Sequence, residues 1–263
     1  MDNIFDTNNL YPGYESKLKQ HFGHYFDNVF IAFSPFFHLN KNEQGALKIS
    51  PKNTISLTEL QEKDHTFKNL KPFDGRVIYT QNPNYPTDEE IIKDGIIVPW
   101  QYVLEHGGFS ELSEINLALR TSIGALRDIY KKEDLNKILD DFTIKNGIFH
   151  PTEGRITILS LMKIYHCLTA IGKLELIVTD EFFYGRKTLN ISEFTCSEFI
   201  LKVRGYMYFF PIDRSLLFTI DWDSFFFLIC GDQDLLHQII PKFEFEGFYC
   251  NDETMHNWDF KEL

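Results

Sequence analysis

Two carboxylates flank an indole in Asp221-Trp222-Asp223, inside the aromatic run Tyr206–Asp232. On one continuous strand, residues two apart share a face, which puts these acids roughly 6–7 Å apart. Such a pair, with a histidine from elsewhere, can hold a divalent ion that activates water, or can divide acid and base work. If Asp221-Trp222-Asp223-Ser224 is a turn, the acids instead sit at a hairpin tip. Solvated acids on a strand face or in a turn are the plainer reading of both. Asp213 lies in a second break, Pro211–Ser215, and joins Asp221, Asp223 and Trp222 as the candidate binding set. His21 and His24 stand three apart in a stretch with helical spacing and are the candidate metal pair. No third ligand is evident near them and Gly23 weakens the helix, so a surface or packing role is the expectation and no cofactor is assigned.

The elements around these residues follow from periodicity. Tyr206–Phe210 is short, aromatic and strand-like, and Pro211 ends it. From Leu216 the pattern alternates. Leu216, Phe218, Ile220 and Trp222 fall on one face, so Trp222 is expected buried with its N–H near an acceptor. Leu217, Thr219, Asp221 and Asp223 fall on the other. Phe225–Ile229 is apolar at every position, as in a strand covered on both faces at the centre of a sheet. Asp232 then begins a helix through Ile240.

Upstream, Tyr14–Phe26 reads as a short helix, and Val29–Phe33 and Arg76–Thr80 as strands. Thr87 and Glu90 form a capping-box signature. Pro99 opens a helix closed by Gly107-Gly108, and Ser110 caps another over Glu111–Arg120. These two helices resemble a helix-turn-helix in outline, but the second carries two acids and one base, the wrong charge for phosphates. Further helices are expected at Leu57–Glu62, Glu133–Phe142, Arg155–Ile171 and Ser192–Lys202, the last capped by Ser192, with a strand at Leu174–Thr179. The tail after Pro241 is too aromatic to be free and is expected to dock on the sheet, with His256 and Trp258 near its end.

The fold class is therefore α+β: a mostly antiparallel sheet over residues 174–230, packed by helices, with a helical N-terminal half that adds one or two strands. One domain over residues 1–263 is expected, with residues 1–10 loose and only a short sub-boundary near 146–154.

Composition narrows the function classes. The net charge is -12, from 38 acids against 26 bases, which argues against a nucleic-acid partner and favours a basic protein one. The four cysteines are widely spaced, without C-x-x-C, and read as free thiols in a reducing cytoplasm. The acidic start is no secretory signal, and no apolar run reaches the ~18 residues of a membrane span. The G-x-S-x-G, P-loop, dinucleotide and H-E-x-x-H signatures are absent.

The runs TDEEIIKDGIIVPW, INLALRTSIGALRD and DRSLLFTIDWDSFFFLICGD resemble a family from Bacillus-type Firmicutes, domain-of-unknown-function family 2711, from about residue 25 onward. That resemblance implies no activity and no site residues. The aromatic block ending in DWDS is also similar to blocks in small bacterial immunity proteins, acidic cytoplasmic α+β proteins that neutralise toxins. It implies a non-enzymatic binding protein. The alternative is a metal-dependent or carboxylate-based hydrolase using Asp221 and Asp223.

Overall fold

The computed structural model describes residues 10–40, 50–63, 78–180, 182 and 184–259. In chain order the N-terminal half contains α1 (Leu18–Phe22), β1 (Asn28–Phe33), β2 (Phe36–Leu39), β3 (Lys52–Ile55), α2 (Leu57–Lys63), β4 (Ile78–Gln81), α3 (Asp88–Asp94), β5 (Gly95–Val98), α4 (Trp100–Gly107), α5 (Leu112–Ser122) and α6 (Glu133–Asn146). The C-terminal half contains α7 (Ile158–Ala170), β6 (Glu175–Thr179), β7 (Lys187–Asn190), α8 (Cys196–Val203), β8 (Tyr208–Pro211), β9 (Leu216–Thr219), β10 (Phe226–Gly231), α9 (Gln233–Lys242) and β11 (Gly247–Tyr249).

The fold is α+β. Its main sheet has seven strands in the order β11-β1-β10-β9-β8-β6-β7, and every neighbouring pair is antiparallel. Six of the seven come from residue 175 onward; the seventh, β1, inserts between the last two strands of the chain. Two small two-stranded sheets, β2 with β5 and β3 with β4, lie outside it. Among the described residues no helix is long and apolar enough to cross a membrane.

Continuous apolarity places β10 inside the sheet, between β1 and β9, with all six residues buried. The tail docks as expected: β11 pairs with β1, Ile31 opposite Phe248. Gly247 is required there, because a Cβ would lie 1.8 Å from the Ile31 carbonyl oxygen. At the junction with α4, the Trp100 indole lies flat on Phe33 at 4.5 Å and donates to the Ser34 carbonyl at 2.8 Å. That contact gives a buried indole the acceptor it needs.

Local capping chemistry sets several boundaries. Thr87 and Glu90 close the predicted capping box of α3, and Gly108, left-handed at φ 85°, ends α4. Other starts shift. α8 begins at Cys196 because Thr195 and Glu198 form a capping box of their own; Ser192 lies in a single 3-10 turn before it. α7 begins at Ile158, capped by Thr157, and not at Arg155. α5 begins at Leu112 and takes no side-chain cap from Ser110. α1 spans only Leu18–Phe22, with Gly23 as its C-cap, shorter than the expected Tyr14–Phe26.

The register read for residues 216–223 is corrected. Leu217 and Thr219 are as buried as Leu216 and Phe218. Successive residues of a strand point to opposite faces, so both faces of β9 are covered and alternation carries no inside–outside signal. The strand ends at Thr219, and a turn follows. The expected strand at Arg76–Thr80 is found as β4, with residues 76 and 77 outside the described residues. Of residues 1–10, expected loose, 1–9 also lie outside them, and the expectation for Leu10 is corrected, because its side chain is fully buried in the core.

Candidate functional site

The turn between β9 and β10 separates the two acids. Its flanks are sunk: Ile220, Ser224 and Phe225 are buried. Its crest is not: Trp222 is 60% exposed, against the burial expected of it, and Asp223 is exposed beside it. Trp222 has left the face it was assigned because the chain turns at Asp221 and the two-residue period stops applying. Asp223 adopts φ 52°, a left-handed conformation that Asp tolerates better than most residues. The Gly154 amide donates to the Ser224 carbonyl at 3.0 Å and holds the crest from behind.

Asp221 turns inward. It accepts hydrogen bonds from the Tyr14 hydroxyl and from the Trp222 backbone amide. Burial lifts its carboxyl above the usual range, and these two hydrogen bonds oppose the lift. His256 Nε2 lies 4.0 Å from its Oδ2. Burial, with the Arg120 guanidinium nearby, pushes His256 down to about 3, so at neutral pH the imidazole is uncharged and the contact is no ion pair.

The tail positions His256. The Leu18 amide donates to the Thr254 carbonyl at 2.9 Å, and Met255 bridges to Lys17. His256 is then 2% exposed, with Nδ1 2.8 Å from the Tyr11 hydroxyl and its ring 4.5 Å from that of Tyr14. Behind it, Arg120 Nη1 lies 3.1 Å from both carboxylate oxygens of buried Asp259, and the Asn116 amide donates to the same carboxylate at 3.1 Å. Burial lifts the Asp259 carboxyl even against Arg120 and Asn116. The outcome is a buried polar cluster, Tyr11, His256, Arg120, Asn116 and Asp259, that reaches solvent through Asp221, Tyr14 and the crest.

The chain belongs to the DUF2711 family. The family model, described as a protein of unknown function, matches residues 14–260. A relative, the Bacillus subtilis (strain 168) "Uncharacterized protein YwbB", is 27% identical over 174 residues, covering 66% of this chain and 77% of that protein. No solved structure matches. All the cluster residues except Tyr11 fall inside the matched span.

The other sequence candidates do not join this site. Asp213 sits at the opposite end of β9, where it accepts from the Ser215 amide at 3.1 Å and pairs with Lys173. Partial burial acts upward on its carboxyl, but the hydrogen bonds from Lys173 and Ser215 outweigh it and hold the carboxyl low. His21 packs edge-on against Phe22, and His24 is exposed beyond the end of α1, so the helical spacing that would join them is lost. Among the described residues no group of three or more His, Cys, Asp or Glu could hold a metal ion.

Sequence reasoning missed Arg120, Asn116 and Asp259. The signal was there: Asn116 and Arg120 stand four apart on α5, each next to an apolar residue, Ile115 and Leu119, of the face that becomes buried. A polar pair on an apolar helical face calls for a buried acid.

Proposed function

We propose that this chain is a non-enzymatic binding protein, immunity-like in kind, that meets a basic protein partner at the β9–β10 crest. The observation that carries the reading is Trp222, an indole 60% exposed on a turn whose flanking residues are buried. Tryptophan is the residue most enriched at interface hot spots, and a fixed backbone lowers the ordering cost of using it. Exposed Asp223 beside it, and the net charge of -12, favour a cationic face and speed its approach. The four free cysteines, three of them buried, fit a reducing compartment, so a cytoplasmic site of action belongs to the same proposal, as does a single domain over the whole chain.

The test is affinity capture from bacterial lysate with wild-type chain, Trp222→Ala and Asp223→Arg as baits, at low and high ionic strength. We expect wild type to retain a basic protein at low ionic strength, both variants to lose it, and salt to weaken it. Equal retention by wild type and Trp222→Ala refutes the reading.

One observation favours a second reading, a carboxylate-based hydrolase: Asp221 with a raised pKa lies within 4.0 Å of a neutral imidazole. Asp223, out in solvent, has no part in it. Turnover of p-nitrophenyl acetate by wild type, lost in Asp221→Asn and in His256→Asn, would favour that reading over the first.

A further inference from the structure

The loop at 151–155, which touches the crest through Gly154, also lines a cleft of about 850 Å³. That volume lies within the ~300–1,000 Å³ of small-molecule sites. Five prolines, at 35, 51, 83, 86 and 151, stand in its walls, and their fixed φ angles favour a preformed shape. Phe37, Ile91 and Ile156 supply an apolar lining and are themselves largely buried.

The charges in the cleft are informative because most of them cancel. Three cations line it, Lys52, Arg155 and Arg204, with three anions, Asp88, Glu89 and Glu153. Lys52 Nζ pairs with Glu153 Oε1 at 2.5 Å, and Arg204 pairs with Asp88. Arg155 and Glu89 are left over. Both are exposed, and among the described residues neither makes an ion pair or side-chain hydrogen bond, with the other or with a third group. A ligand that complements this lining carries one negative and one positive group on an apolar body.

We propose that the cleft binds a small zwitterion with an apolar side chain, its carboxylate against Arg155 and its ammonium against Glu89. A guanidinium recognises a carboxylate through two parallel N–H bonds, and a carboxylate accepts readily from an ammonium. A free amino acid and a short peptide share this chemistry. The inference does not depend on the partner reading at the crest, because no residue of the crest takes part in it.

Calorimetric titration of the full chain with leucine and with leucyl-alanine tests it. We expect at least one of the two to bind, and the tighter one identifies the source. N-acetylation removes the ammonium charge and amidation the carboxylate; each should weaken binding at least ~tenfold. Arg155→Met should weaken the parent ligand by a similar factor and make amidation cost nothing more. Glu89→Gln should do the same for acetylation. Arg155 and Glu89 are exposed, so unchanged ligand-free melting temperatures will show that both variants fold. The proposal is overturned if neither compound binds at millimolar concentration, if the capped compounds bind as well as the parents, or if both variants bind like wild type.

Discussion

Acidification should unfold this protein partly through His256, and one substitution isolates that contribution. In the folded chain the buried imidazole is held down to about 3, while an exposed histidine in the unfolded chain titrates near its ordinary 6.5. Between those values the unfolded chain binds the extra proton and the folded chain does not. The stability that depends on neutral His256 is therefore complete above 6.5 and is lost as pH falls toward 3. Two pH units below the unfolded value, at about pH 4.5, the loss is roughly 3 kcal/mol. His150, held down to about 4 by complete burial, acts with the same sign. Asp221, Asp259 and Glu246, all lifted chiefly by burial, act with the opposite sign, so the wild-type curve alone is a mixture. The informative quantity is the difference between wild type and His256→Asn. Asn can keep a polar partner for the Tyr11 hydroxyl but does not titrate. Urea melts near pH 7.5 and pH 4.5 should show the wild-type advantage shrinking by about 3 kcal/mol on acidification. Parallel pH profiles for the two proteins would refute the reasoning and mean that His256 meets water in the folded state.

Two further outcomes follow from the same site. Asp259→Ala removes the carboxylate that Arg120 and Asn116 share in the interior, and should cost about 3 kcal/mol in urea melts, the lower end for a broken buried pair because Arg120 keeps other contacts; a cost below about 1 kcal/mol would mean that the pair is wet. Trp222→Ala should cost only about 1 kcal/mol, against the ~3–5 of a fully buried indole, and thermal melts that show the larger figure would return Trp222 to the core.

The fold was legible wherever local chemistry and apolar periodicity agree. The Thr87–Glu90 box, the stop at Gly108 and the all-apolar β10 each depend on neighbouring residues, so the chain states them directly. β1 could be read as a strand, but not as the one inserted between β10 and β11, because that pairing joins residues about 200 apart in sequence. The candidate site was half legible for the same reason. Asp221 stood out by composition, whereas Tyr11, Arg120 and Asp259 become neighbours only when both ends of the chain fold back onto α5 and β10. Trp222 was misplaced because a period-two pattern was extended three residues past the end of its strand.

The crest is one of the places where local preference and structure disagree. An indole gains about 2–3 kcal/mol from full burial, and Trp222 forgoes most of that gain although Ile220 and Phe225 on either side take theirs. Asp223 adds a left-handed residue, a conformation that costs glycine nothing and Asp less than most other residues. Neither feature is loose. Ser224 is buried and tied by its carbonyl to Gly154, and Asp221 is anchored from below by Tyr14. A chain under selection for stability alone has cheaper residues available here, a glycine at 223 and a polar residue at 222. Arg214 and Glu244 are left-handed as well, and Ile212 is exposed beside Arg214, so what sets the crest apart is its indole: a partner that covers it would recover the forgone burial. The same reasoning gives the substitution its direction: an Asp223→Gly variant should lose none of its stability, and any loss of partner retention it shows must then come from the charge.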